Sequence, residues 1–306
     1  MVASTPLGSK PRSTGARDGG WADLHTHTIV SDGTLSPAEL VQRAREIGLG
    51  ALAITDHDTL EGLLEACRAS ETLGMWVIPG VEISVDGEEG RSFHLLAYRA
   101  SASNPRLAAF LERLQKRREC RNLQVLEKLA KLGFPLERLM GQFGIPGAQL
   151  GRPHIAMALV RRGYVGSIEE AFSRFLAKGA PAYVPRQRPK YSEAIGEVLA
   201  AGCVPVLAHP HSIGLQGFRE LEAFVGKLVE AGLMGIEAIF PEGGPAMKEH
   251  CEAMSRKWKL ILTGGTDFHG DIKAHIQLGW GRGTLRVPFS WAESLAEAVE
   301  RVRPRA

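Results

Sequence analysis

From Trp21 onward, short apolar runs alternate with amphipathic stretches, and this alternation sets the expected fold. Trp21–Thr28, Ala51–Thr55, Met75–Val85 and Phe93–Tyr98 are short and largely apolar, so they predict strands. Ser36-Pro37-Ala38-Glu39 is a capping box with proline at the first helical position, and Gly48 closes the helix it opens. A second helix is expected from about Thr59 to Gly74. The rhythm returns late in the chain. A helix from Ser192 leads to a strand at Val204–Ala208, a helix near Phe218–Glu230, a strand at Gly235–Phe240, a helix near Pro245–Trp258 and a strand at Leu260–Thr263. Repeated strand–helix units of this size predict an α/β fold with a parallel sheet, open or closed into a barrel.

Residues 101–190 break the rhythm. Asn104-Pro105 opens a long helical pattern ending near Gly133, and Arg152–Arg162 and Ser167–Lys178 read as two more helices with no strand among them. The stretch therefore predicts a helical insertion, placed like a substrate cap, in a main domain made of 21–100 and 191–306. It ends in the basic, proline-rich loop Val184-Pro185-Arg186-Gln187-Arg188-Pro189-Lys190, which reads as solvated, with contact to RNA through Arg186, Arg188 and Lys190 as the alternative. Met1–Gly20, rich in Ser, Thr, Gly and Pro, reads as a disordered tail without the apolar core of a signal peptide.

Composition narrows the classes further. With 44% hydrophobic and 23% charged residues among 306, the chain can bury a large core, which excludes wholesale disorder. The net charge of +3 is too small an excess to argue for nucleic-acid binding by itself. No apolar run approaches the roughly 18–20 residues of a membrane span. Cys67, Cys120, Cys203 and Cys251 form no CxxC pair, so they are expected as reduced, mostly buried thiols of a cytoplasmic protein.

The chemistry lies in the histidines and acids, which gather at strand ends. In Asp23-Leu24-His25-Thr26-His27, two histidines two apart on a strand point to one face; they either chelate an ion or bond to backbone. Asp32 follows in the next loop, Asp56-His57-Asp58 ends the second strand, Glu82 lies on the third and His94 on the fourth. Ala208-His209-Pro210-His211 ends a later strand, and Asp267-Phe268-His269 follows the last. In an α/β barrel these ends meet on one face, where the loops build the active site. Buried carboxylates gathered there need cations, and metal ions are the natural partners.

Asp23-Leu24-His25-Thr26-His27, Ile54-Thr55-Asp56-His57, Gly80-Val81-Glu82, Ala208-His209-Pro210 and Asp267-Phe268-His269 resemble the signature of the PHP (polymerase and histidinol phosphatase) family. The resemblance runs from about Trp21 to Gly270, outside the insertion. It implies a distorted (β/α)7 TIM-like barrel with three divalent ions. One would be held by His25, His27, Glu82 and Asp267, a second by Glu82, His94 and His209, and a third by Asp32, His57 and His269. Such donors suit Mn²⁺, Zn²⁺ or Fe²⁺ better than Mg²⁺ alone and do not choose among the three; Mn²⁺ is the ion expected. The ions would neutralise a phosphomonoester dianion and generate hydroxide to attack phosphorus. Asp58 and His209 are the candidate catalytic residues, Asp58 also being expected to face and bind the substrate, and Asp56 is expected to support a ligand from behind. His211, beside His209, is a candidate support as well.

The insertion, with Gly151-Arg152-Pro153-His154, is similar to that of small phosphatases acting on 3′,5′-nucleoside bisphosphates, some of whose relatives trim short RNA from the 5′ end. Arg118 and Arg121 share a helix face and either grip a second phosphate or form an ordinary solvated basic face. Arg152 and His154 open a helix whose N-terminus favours an anion; both are read as substrate contacts, His154 against a capping or packing role. The expected reaction is therefore metal-dependent hydrolysis of a nucleoside bisphosphate to a monophosphate. The alternatives are a 5′–3′ exoribonuclease, a histidinol phosphate phosphatase and a non-catalytic metal-binding module. The expected partner is a small phosphorylated nucleotide or short RNA, with no membrane; the sequence is silent on oligomeric state.

Overall fold

Eight strands make up the sheet: β1 (Trp21–Asp23), β2 (Ala51–Ile54), β3 (Trp76–Asp86), β4 (Ser92–Tyr98), β5 (Val204–Leu207), β6 (Gly235–Ile239), β7 (Ile261–Gly264) and β8 (Val287–Pro288). The computed structural model describes residues 20–88, 90–136 and 151–302; the tail Met1–Gly20, apart from Gly20, lies outside them. The strand order is β7-β6-β5-β4-β3-β2-β1-β8. Past β7 the chain bonds back to the segment after β1: Leu24 N–H donates to Gly264 O at 3.0 Å, Asp267 N–H to His25 O at 2.9 Å and His27 N–H to Phe268 O at 2.9 Å. These bonds curl the sheet into a nearly closed, distorted barrel.

The sheet is not wholly parallel. β1/β2, β2/β3, β5/β6 and β6/β7 are parallel, whereas β4 runs antiparallel to both β3 and β5. No helix separates β3 from β4, so the pair is a hairpin and not a crossover unit. β8, antiparallel to β1, and the helix Phe289–Val302 were not expected. A two-residue strand carries no periodic signal, although the helix that follows it is plainly amphipathic.

β1 is also shorter than Trp21–Thr28. Beyond Asp23 the backbone bonds to side chains as well as strands: Thr26 N–H donates to Thr55 Oγ1 at 3.1 Å, and Thr26 makes a single bridge to Phe268. The two histidines thus leave the ladder at the barrel mouth. The helix α1 (Pro37–Glu46) carries the expected capping box, Ser36 with Glu39. α2 (Leu63–Leu73) starts later than Thr59, because residues 57–62 form the loop that delivers His57 and Asp58.

The core lies in two shells, one where the strands meet the flanking helices and one that includes Leu24, Ile78, Leu96, Tyr98 and Val206 with the helix Phe289–Val302. Burial of each such side chain contributes roughly 1.5–3 kcal/mol. The long helix α3 (Pro105–Lys131) is capped by Asn104, whose Oδ1 accepts the Arg106 and Leu107 N–H groups. Its first turns bury Leu107, Phe110, Leu111 and Leu114 in the outer shell. Its last turns bury Val125 and Leu129 in a separate cluster with Ile155, Leu159, Phe175 and Leu176. Between them Arg118, Arg121 and Asn122 are buried although polar. The expected third helix of this region is a four-residue α-helix, Ile168–Ala171, continued by the π-turn Phe172–Leu176.

Cys203 and Cys251 are buried as expected, but Cys67 is only partly covered and Cys120 is exposed on α3. No helix among the described residues is long and apolar enough to cross a membrane.

Candidate metal centre

Glu82, on β3, is the hub. It is 1% exposed and touches five histidines. Its Oε1 lies 2.8 Å from His94 Nδ1, 3.1 Å from His209 Nε2 and 3.3 Å from His25 Nε2. Its Oε2 lies 3.2 Å from His27 Nε2 and 3.1 Å from His57 Nδ1. Asp267 Oδ1 approaches His27 Nε2 at 3.2 Å and His25 Nε2 at 3.6 Å. Asp32 Oδ1 sits 3.3 Å from His269 Nε2, and its Oδ2 3.8 Å from His57 Nε2. All nine residues expected as ligands converge on one mouth of the barrel.

Local backbone geometry makes this convergence possible. Gly265 passes so close to His25 that a Cβ there would lie 2.4 Å from the His25 backbone nitrogen. A Cβ on Gly33, next to Asp32, would lie 2.5 Å from His27 O. Asp58, His209 and Asp267 hold left-handed φ of 53°, 21° and 51°, costly conformations that gather at functional sites. Asp56 supports the loop of His27 and does not face the cluster: it accepts the Thr28 N–H and hydroxyl, each at 2.8 Å, and the Ser31 hydroxyl at 2.6 Å. Asp23 does the same for the Asp267 loop, accepting the Thr266 N–H at 2.9 Å and hydroxyl at 2.6 Å and the Gly279 N–H at 2.9 Å.

The donor set fits divalent ions. His25 Nε2, His27 Nε2, His57 Nδ1, Asp32 Oδ1 and Glu82 Oε2 are buried without a hydrogen-bond partner among the described residues, although oppositely charged atoms lie near. They converge without the alignment of hydrogen bonds, and buried polar atoms left this way call for an explanation. The atoms of His25, His27, Glu82 and Asp267 lie within 4.8 Å of one another, as do those of His27, Asp32, His57 and His269, and those of His57, Glu82 and His94. Divalent cations held among these groups would satisfy them. His209, expected beside Glu82 and His94, is 3.3 Å from His94 Nδ1.

The charges are tightly linked. Burial alone would raise Glu82, but His94, His57 and His25 hold it well below the usual carboxylate range. Burial pushes His57 down to about 3. Burial opposes charge on His27 too, yet the Asp267 and Glu82 carboxylates outweigh it and lift the imidazole to about 9. A raised folded pKa means that this interaction stabilises the metal-free protein fully below pH 6.5 and is lost as pH rises through about 9. An ion needs neutral His27, so its binding releases a proton at pH 7, and affinity strengthens with pH up to about 9. Calorimetric metal titrations in buffers of different ionisation enthalpy measure that proton; a heat independent of buffer at pH 7 contradicts this assignment.

Around this centre stands a group of cations. Asp58 Oδ2 takes both Arg118, from α3, and Arg186, the latter at 2.6 Å. Arg186 also donates to Ser84 Oγ at 2.7 Å, and Arg188 to Asp86 at 3.1 Å. The loop 184–190 is therefore not simply solvated: Arg186 is a site residue that sequence reading missed. Arg118 and Arg121 are not a solvated face either, being 8% and 7% exposed. Arg121 is brought down to about 10 by burial and by Arg152, Arg118 and Arg188 around it. Arg152 donates to Leu176 O at 3.3 Å and lies over the Phe172 and Tyr183 rings. His154 Nδ1 accepts the Gly151 N–H at 3.0 Å, so its ring does cap the helix at one nitrogen.

Three further residues were not expected. Glu237 contacts His25, Lys273 donates to Asp267 Oδ2 at 2.5 Å, and Ser212 bonds His209 Nδ1 at 2.8 Å. Ser212 takes the supporting place imagined for His211, whose ring stacks on Phe240 instead. A lone glutamate within the apolar strand Gly235–Phe240 was the signal available for Glu237; Lys273 and Ser212 lie in loops and gave none.

A cluster of buried histidines around a shared carboxylate, at the mouth of an α/β barrel, defines a metal-dependent hydrolase. The PHP domain family matches residues 23–201, and the chain belongs to that family, whose members include metal-dependent phosphoesterases. His209, Asp267 and His269 lie beyond the matched stretch and are brought in by the fold. A 5′-3′ exoribonuclease of Haemophilus influenzae is 37% identical over 247 residues, covering 81% of this chain and 89% of its own. A 3′,5′-nucleoside bisphosphate phosphatase of Chromobacterium violaceum is 32% identical over 262 residues, covering 81% and 86%. A solved structure from Bifidobacterium adolescentis, assigned to the metal-dependent phosphoesterases, superposes with a TM-score of 0.79 at 30% identity, covering 93% of this chain and 96% of that one. The protein is a metal-dependent phosphoesterase.

Proposed function

We propose that the protein removes a phosphate from a nucleoside 3′,5′-bisphosphate, leaving a nucleoside monophosphate. Three ions, Mn²⁺ first, would be held by His25, His27, Glu82 and Asp267, by Glu82, His94 and His209, and by Asp32, His57 and His269. When bound, such ions neutralise the phosphate dianion and acidify water. The rest falls to the chain's own residues. Asp58 is read here as the partner that fixes Arg118 and Arg186, more than as a proton carrier, because both guanidiniums occupy its Oδ2. The described parts of the insertion, 101–136 and 151–190, would act as a cap that brings cations over the mouth.

One observation carries the choice of substrate. Arg118 Nε and Arg121 Nε are buried with no hydrogen-bond partner among the described residues. Five arginines, 118, 121, 152, 186 and 188, share only Asp58 and Asp86 as acidic ion-pair partners among those residues. Buried, under-neutralised guanidiniums fit a second phosphate, which they can bind through forked hydrogen bonds. His154, buried and near both Asp32 and Arg118 in its electrostatic surroundings, belongs to the same substrate wall.

The similarity to exoribonucleases favours one further reading. A 5′-phosphorylated RNA end and a nucleoside 3′,5′-bisphosphate both present a 5′-phosphate and a phosphoester at the 3′ oxygen. They differ only in what the 3′ phosphorus carries beyond it.

Arg121→Ala and Arg152→Ala test the substrate assignment. A charge-assisted hydrogen bond contributes roughly 1.5–3 kcal/mol, about one to two decades in specificity. Each variant, and Arg118→Ala, is expected to lower kcat/KM for a nucleoside bisphosphate by about 10–100-fold. Loss on an aryl phosphate should be small, measured at fixed ionic strength because charge contacts are screened by salt. Equal loss on both substrates contradicts a role in binding the second phosphate.

A further inference from the structure

Glu237 is the single charged residue of β6, flanked by Ile236 and Ala238, and is 1% exposed. Its Oε1 and Oε2 lie 3.3 and 3.4 Å from His25 Nδ1. Its Oε2 also accepts the backbone N–H of His209 at 2.7 Å. The far nitrogens of the same two histidines, His25 Nε2 and His209 Nε2, both reach Glu82 Oε1, at 3.3 and 3.1 Å. The two rings stack at 5.5 Å with 18° between their planes. One buried carboxylate therefore stands behind two ligands that arrive from different strands.

We propose that Glu237 is a positioning residue: it fixes His25 as the Nδ1–H tautomer and pins the backbone of His209, so that both rings present Nε2 towards Glu82, where ions would be held. The inference rests on the metal assignment above. A buried carboxylate is costly without a cation. Glu237's partners among the described residues are His25 and the His209 backbone, so the compensating charge comes through what those histidines bind. A histidine ligand is oriented, and its basicity raised, by the acceptor on its other nitrogen. The His209 N–H requires an acceptor as well, because it is buried, and the residue is held at φ 21° and ψ 70°, outside the ordinary regions. A carboxylate offers an oxygen to each donor and a negative charge to both, whereas a glutamine would take both on one neutral carbonyl oxygen, with its NH₂ turned towards His25 or away.

The test compares wild type with Glu237→Gln. Metal-free protein is titrated with Zn²⁺, and bound ions are counted after dialysis. Glu237→Gln is expected to weaken the sites using His25 and His209 by about 10–100-fold. The Asp32–His57–His269 site should keep its affinity. Glu237→Gln also weakens the acceptor of His25 and of the His209 N–H, so the metal-free melting temperature is expected to fall modestly, and the metal affinities decide the assignment. A lower melting temperature with unchanged affinities would instead mark Glu237 as merely structural and overturn the proposal. Long-range ¹H–¹⁵N spectra of Zn²⁺-loaded wild type provide a readout that needs no variant. His25 should be protonated at Nδ1 and metal-bound at Nε2; the opposite tautomer overturns the proposal. Should wild type bind no ion through His25, the metal assignment itself fails, and the wild-type titration shows this before any variant is compared.

Discussion

Glu82→Ala is expected to lower kcat by about three orders of magnitude and to release two ions together. No other side chain touches as many of the expected ligands: both of its oxygens contact histidines, three through Oε1 and two through Oε2. Truncation leaves His25, His27, His94 and His209 facing one another with no carboxylate between them. Asp267 alone cannot replace it, because its Oδ2 is taken by Lys273. Lewis-acid stabilisation by bound ions contributes several kcal/mol to the transition state, which sets the size of the effect. Metal content after equilibrium dialysis, together with turnover of an aryl phosphate, checks both halves. Loss of a single ion, or of none, contradicts the bridging role.

Asp32→Ala and His269→Ala are expected to lower turnover by about 10²–10³-fold with little change in melting temperature. Asp32 and His269 contact each other and His57 across the third donor set, and Asp32 packs into no apolar cluster. Burial would raise Asp32, but His57 and His269 hold it far below the usual range, so it faces the cluster as a carboxylate. Its removal takes charge from the place where an ion neutralises developing charge, a loss expressed in the transition state. Thermal unfolding followed by circular dichroism separates the two effects. Variants that unfold on purification would make these residues structural.

Much of the barrel was legible because strands and helices carry different periods. The helices Phe218–Glu230 and Pro245–Trp258 run as their patterns predict, and the Ser36–Glu39 box caps α1. What escaped has physical reasons. The antiparallel placement of β4 follows from a short hairpin and has no compositional mark. His25 and His27 were read on a strand, but the ladder stops at Asp23, and a single bridge at Thr26 carries them on. The ligand residues were legible because each sits at a strand end next to other acids and histidines. Arg186 was not, because a proline-rich basic loop looks the same whether it points to solvent or folds back to Asp58. Glu237 announced itself only as a charge in an apolar strand, and its partners come from β1's extension and the end of β5, far away in sequence.

The central claim is that a metal centre and an arginine-lined cap together select a nucleotide bearing two phosphates. The most direct measurement is kcat/KM of the Mn²⁺-loaded protein for a nucleoside 3′,5′-bisphosphate, a nucleoside monophosphate, a 5′-phosphorylated oligoribonucleotide and an aryl phosphate, side by side. The highest value is expected for the bisphosphate, at least about tenfold above either monophosphate ester, with activity lost on chelation and restored by Mn²⁺. Equal values for the bisphosphate and the aryl phosphate, or the highest value on the oligoribonucleotide, would contradict it.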